Sequence, residues 1–226
     1  MAKKSNWTDE YWLYVMQLYM RKPTGVKPLY SKASVDLGIE IHVHPREIRA
    51  RQQQIEAIST PRIERIWDEY ADNPRKLARA VRLLRSMKGF GSADEFYEGV
   101  EVAESFERDF RPVYDITLPN GGQVGVTPVM LILILDLYFR LTPITMVPET
   151  PEVVELAKLI GMPSPTLTEL LLLFRCQDPM FTPRTSSFSP HAQQLKPSCK
   201  KVWQRYGNGD TEQLARLANE LKEYFR

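Results

Sequence analysis

Two cysteines are all the sequence contains, too few for a disulfide framework and without metal-ligand spacing. Long apolar runs are missing too. The longest, Val129–Leu135, stops at Asp136, far short of the roughly 20 apolar residues of a membrane span. No basic, apolar, small-residue signal opens the chain. The expectation is a cytoplasmic, reducing compartment and no membrane partner. Histidine is scarce. His42 and His44 stand two apart, but no Cys, Asp or Glu pattern completes a metal site. His191 falls between Cys176 and Cys199, and nothing in the sequence fixes a base or an orienting third group for a Cys/His nucleophile. Lys88-Gly89-Phe90-Gly91 lacks the Gly-Lys-Ser/Thr ending of a phosphate loop. The carboxylates of Glu98–Asp109 spread around a helix without singling out a pair for acid–base work. These gaps argue against an enzyme, a cofactor and a metal.

What is present is ordinary for a globular protein: 43% hydrophobic and 26% charged residues. The length suits one large domain or two small ones. The net charge of +2 hides an uneven distribution. Residues 1–85 hold 16 Lys+Arg against 10 Asp+Glu, residues 86–126 hold 3 against 8, and residues 127–226 hold 11 against 10. A basic first segment is followed by an acidic connector, a pattern that solvated faces also produce.

The chain repeats itself at an offset of 119. Trp7-Thr8 through Leu18-Tyr19-Met20-Arg21 matches Val126-Thr127 through Leu137-Tyr138-Phe139-Arg140. The register holds from Val35-Asp36-Leu37 against Val154-Glu155-Leu156 to Ile55 against Phe174. An insertion of about 17 residues then enters the second copy. Trp67 and Tyr70 match Trp203 and Tyr206, and Leu77-Ala78-Arg79 matches Leu214-Ala215-Arg216. The fold class read from this is all-α: two tandem helix-turn-helix-like repeats, with a small β hairpin in the connector. The boundaries are 1–85, 86–126 and 127–226, with an inserted exposed loop at 180–197.

Each copy reads as four helices. Capping residues followed by proline mark starts at Thr60-Pro61, Asn73-Pro74, Thr127-Pro128, Thr150-Pro151 and Ser164-Pro165. Thr8-Asp9-Glu10 marks the first. Asn120-Gly121 between alternating apolar residues signals the hairpin.

In copy one, Ser31–Ile41 reads as a helix, His42–His44 as a turn and Pro45–Ile58 as a second helix. At 100° per residue, Ile48, Ile55 and Ile58 face the core, and Arg46, Arg49 and Gln53 face outward. Ala50 and Ala57 flank them with little bulk. Arg51, Gln52 and Gln54 sit at the margins. Arginine reads guanine edges, glutamine reads adenine edges, and either holds phosphate. Arg46, Arg49 and Gln53 are therefore candidate groove contacts, with Arg51 and Arg62 as phosphate contacts. The expected partner is double-stranded DNA. The equivalents in copy two, Pro165, Thr168 and Leu172, carry no charge. That helix is apolar nearly all round and suits packing on copy one, on a second chain or on another protein. Leu172 is the candidate contact for this alternative, a protein-interaction scaffold or homodimer.

Leu135-Asp136-Leu137-Tyr138, Pro151-Glu152-Val153-Val154-Glu155-Leu156-Ala157, the closing Gly161, and Asp178-Pro179 together resemble a helical domain found ahead of HNH nuclease domains. Trp7-Thr8 and Leu18-Tyr19 fit it more loosely in copy one, and Trp203 fits it again. The resemblance covers about 170 residues and implies a DNA-associated helical module. It carries no chemistry. Gly161-Met162-Pro163-Ser164 stands where the family commonly has Gly-Arg-Thr-Pro, so its basic residue is missing. No nuclease segment appears before Arg226, and nuclease activity is not expected.

Overall fold

The structure is a computed structural model that describes residues 7–87, 106–117, 121–181 and 188–226. It is mostly helical, with one two-stranded antiparallel sheet among the described residues. The chain divides into two compact units, Met1–Glu104 and Ser105–Arg226.

The first unit holds α1 (Tyr11–Met20), α2 (Lys32–Ile41), α3 (Pro45–Glu56), α4 (Pro61–Tyr70) and α5 (Pro74–Ser86). The second opens with α6 (Glu107–Phe110) and the hairpin β1 (Tyr114–Thr117) and β2 (Gln123–Val126). It continues with α7 (Pro128–Arg140), α8 (Pro151–Ile160), α9 (Ser164–Arg175), α10 (Pro190–Val202) and α11 (Thr211–Leu221). Each copy thus holds five helices among the described residues rather than four. A left-handed residue, His42 at φ 54° or Gly161 at φ 69°, separates the second helix from the third in each.

The cap-and-proline signals work through identifiable hydrogen bonds. Thr60 Oγ1 accepts from the Ile63 amide at 3.3 Å, Asn73 Oδ1 from Lys76 at 3.0 Å, and Thr127 Oγ1 from Met130 at 3.3 Å. Each occupies a donor left over in the first helical turn. Two signals behave otherwise. Pro163, not Ser164, precedes α9, and Thr150 Oγ1 donates to the Thr145 carbonyl instead of capping α8.

The cores of the two units correspond. In the first unit α1 is the centre, with α2, α3 and α5 packed on it, and in the second α7 is the centre, with α8, α9, α10 and α11 packed on it. Shifting α2 and α3 by 119 residues lands on α8 and α9 at both ends. Buried Met16, Leu18, Leu37, Ile41, Ile48 and Ile55 match buried Leu135, Leu137, Leu156, Ile160, Leu167 and Phe174. The last helices correspond as well: buried Leu77 and Val81 in α5 match buried Leu214 and Ala218 in α11.

The hairpin pairs Tyr114 with Val126 and Thr117 with Gln123. It belongs to the second unit, where β1 packs on α10. The expected turn begins at Asn120, outside the described residues, and Gly121 has φ +79°. Lys88–Gly91 and most of the acidic stretch also lie outside them. The expected exposed loop at 180–197 is corrected in its second half. Ser189-Pro190 is another cap and proline, Ser189 Oγ accepts from the Ala192 amide, and α10 runs on through Pro197. No single helix among the described residues is long and apolar enough to cross a membrane.

Candidate nucleic-acid interface

The turn between α2 and α3 is built from both sides. His42 closes α2 in the left-handed conformation, and the Val43 amide returns to the Gly38 carbonyl at 3.0 Å. This is the bond that ends a helix in a Schellman cap. Met162 makes the same bond to Ala157 at 3.0 Å behind Gly161. His44 then starts α3. Its Nδ1 accepts from the Arg46 amide at 3.0 Å, and Pro45 takes the first helical position. Burial and neighbouring Arg46 lower the imidazole pKa, with Glu47 acting the other way. The neutral ring this favours is the form that can accept the bond.

Ile48 and Ile55 are fully buried and fix the rotation of α3. Arg46, Arg49 and Gln53 are exposed together with Ala50 and Ala57. Neither Arg46 nor Arg49 forms an ion pair among the described residues. Two residues of this segment depart from the 100° wheel. Ile58, a core residue by that spacing, is 41% exposed with φ +44°. The helix ends at Glu56, so its spacing no longer governs that side chain. Gln52, a margin residue by the same spacing, is 0% exposed. Its Oε1 accepts from the Lys27 amide at 2.9 Å, which ties the α1–α2 connection to α3. Its Nε2 has no hydrogen-bond partner among the described residues.

The other two candidate arginines are committed within the unit. The Arg51 guanidinium lies 4.7 Å from the Trp7 ring centroid and 5.4 Å from that of Trp12. It pairs with Glu47 at 3.3 Å and donates to Gln54 Oε1 at 3.2 Å. Arg62 bridges from the start of α4 to Asp9 ahead of α1. Spacing sets Arg51 at the margin of the face, but nothing in the sequence signals that it and Arg62 are held within the unit. The distinction comes from Trp7 and Asp9, distant in sequence.

The same face in the second unit is built differently. Pro165 is exposed, Thr168 is buried with its hydroxyl donating to the Ser164 carbonyl at 3.0 Å, and Leu172 is half-buried. Glu169 accepts from the Ser189 amide at 3.1 Å and from its hydroxyl at 2.6 Å. The chain re-entering α10 is thereby fastened to α9.

Other chemistry on the molecule is sparse. Cys199 is fully buried and its thiol is pushed up to about 12 by that burial, so it stays protonated and unreactive. His191 Nδ1 lies 3.0 Å from the Tyr114 hydroxyl. Among the described residues no group of three or more His, Cys, Asp or Glu is placed to hold a metal ion. A cleft of about 210 Å³ is lined by Tyr14, Gln17, Arg21, Asp36, Glu40 and Arg85. Its charge is internally neutralised: Arg85 donates to both Glu40 oxygens, at 2.6 and 2.8 Å.

No protein-family model, no curated protein and no solved structure matches this chain.

Proposed function

We propose that this protein is a non-enzymatic, cytoplasmic DNA-binding module whose first unit contacts duplex DNA through α3. One observation carries the reading. The outward face of α3 presents Arg46, Arg49 and Gln53 to solvent behind a tight turn, whereas the matching face of α9 carries Pro165, Thr168 and Leu172. A helix entering the major groove needs bidentate donors and small flanking residues. Ala50 and Ala57 supply the small residues. The motif resemblance to helical regions ahead of HNH nucleases points the same way. The role of the second unit is then a platform.

The test is a duplex titration of the full chain at several salt concentrations. Arg46→Ala with Arg49→Ala weakens binding, relaxes discrimination between duplex sequences and, by removing two cations from the interface, flattens the log–log salt slope. Affinity and slope that ignore both changes refute the assignment.

A second reading rests on Leu172, which is half-buried within the apolar run Leu170–Leu173 of α9. It makes α9 a docking face for another chain. Leu172→Asp then abolishes self-association in sedimentation while the circular dichroism spectrum is unchanged. An unchanged sedimentation profile removes this reading.

A further inference from the structure

The last helix of the first unit, α5, runs Pro-Arg-Lys-Leu-Ala-Arg-Ala-Val-Arg-Leu-Leu-Arg-Ser and contains no acidic residue. Its apolar side is spoken for, since Leu77 and Val81 are buried against the core of the unit. Two of its five cations are also engaged. Lys76 pairs with Glu69 at 3.1 Å, and Arg85 is held by Glu40. The other three, Arg75, Arg79 and Arg82, are spaced four and three apart and are all exposed. That spacing puts them in one stripe along the outer face. None forms an ion pair among the described residues.

Stability does not account for this arrangement. Like charges at these spacings repel, and Arg75 stands in the first helical turn, where the helix dipole favours acids. The second unit shows what the same helix looks like without the stripe. Counting from Leu77 against Leu214, the three positions become Glu212, Arg216 and Asn219. There Arg216 pairs with Glu212 at 3.4 Å, and the face neutralises itself. The fold therefore tolerates a neutral face at this place, and the first unit departs from it at a cost.

We infer that Arg75, Arg79 and Arg82 form a second nucleic-acid contact, one that holds the phosphate backbone of a duplex. The inference rests on the DNA-binding reading of the first unit but concerns a different helix and a different mode. The three Cα atoms span roughly 10 Å at 1.5 Å per residue, equal to about three base-pair rises along the axis of B-DNA at 3.4 Å each. The contact supplies charge without reading bases. An anionic membrane is the poorer partner. An interfacial helix inserts an apolar face, and the apolar side of α5 is inside the protein. Exposed apolar bulk is confined to Leu83, in the last turn of the helix, and Met87 just past its end.

The experiment is the salt dependence of duplex affinity between about 50 and 200 mM, measured by fluorescence anisotropy on the full chain. The variant Arg75→Gln/Arg79→Gln/Arg82→Gln flattens the slope by roughly 2–3 and leaves discrimination between duplex sequences unchanged. Replacing the same three with Lys keeps the slope, because phosphate is read as charge. Arg216→Gln in the second unit keeps it as well. Circular dichroism confirms that each variant is helical. A glutamine variant with the parent slope, a lysine variant that fails like the glutamine one, or a chain that binds no duplex overturns the inference. So does capture on phosphatidylserine vesicles that the glutamine variant loses while duplex binding is unaffected. The α3 reading is scored separately by Arg46→Gln/Arg49→Gln. If that pair is silent while the α5 variant flattens the slope, the groove assignment falls and the backbone contact stands.

Discussion

Tyr19 meets Trp67 edge-on with ring centroids 6.1 Å apart and planes at 70°. The second unit repeats the contact: Tyr138 meets Trp203 at 5.9 Å, also at 70°. Each tyrosine is on the first helix of its unit's repeat, and each tryptophan comes from the fourth helix or its end. The tryptophans lie 136 residues apart and the tyrosines 119, so the pairing survived the insertion between them. Such pairs contribute about 0.5–1.5 kcal/mol beyond the area they bury.

Trp203 is buried, and Gly207 closes on it so tightly that an added Cβ would come within 2.5 Å of its ring. Truncating Trp203 to alanine should destabilise the second unit by about 3–5 kcal/mol. Trp67 is half-buried, and Trp67→Ala costs less. Denaturant unfolding of the two variants, followed by circular dichroism, checks the order. Equal losses would contradict it.

His44 makes stability depend on pH. Its folded pKa lies below the ordinary 6.5, from burial first and Arg46 second. The unfolded chain therefore binds more protons in the window just below 6.5, and stability falls as the pH drops through it. Above 6.5 the cap is fully present. His44→Asn keeps a capping side chain that does not titrate, and removes this part of the acid sensitivity. Denaturation midpoints between pH 5 and 8 give the answer. A variant as acid-sensitive as the parent would show that the cap is not responsible.

The arginines of the α3 segment separate by stability. Arg51→Ala removes the guanidinium beside Trp7 and Trp12 together with its ion pair, and should cost about 1–2 kcal/mol. Arg46→Ala and Arg49→Ala should each stay within about 0.5 kcal/mol, as exposed positions do. Thermal melts of the three variants test this, and tryptophan emission reports the loosening of Trp7 in the first alone.

Much of the fold is legible in the sequence because its signals are local. The capping residues before prolines place helix starts without reference to anything distant, and the 119-residue offset transfers boundaries from one copy to the other. The rotation of α3 follows from Ile48 and Ile55. What escapes is tertiary. Spacing puts Gln53 outward and Gln52 only at the margin, and the bond from the Lys27 amide accounts for the full burial of Gln52. Arg51 and Arg62 read as phosphate contacts until Trp7 and Asp9 come into place and engage them. The stripe on α5 is hidden differently. Leu77, Val81 and Leu84 mark the inner face, and the arginines between them read as ordinary solvent-facing charge.

The central claim is that the earlier copy carries the DNA-facing surface, and amide chemical-shift mapping of the full chain with a duplex tests it most directly. Perturbations concentrated at Arg46, Arg49 and Gln53, and absent from Thr168, Glu169 and Leu172, are the predicted result. Shifts confined to the second unit, or none at saturating duplex, would contradict it.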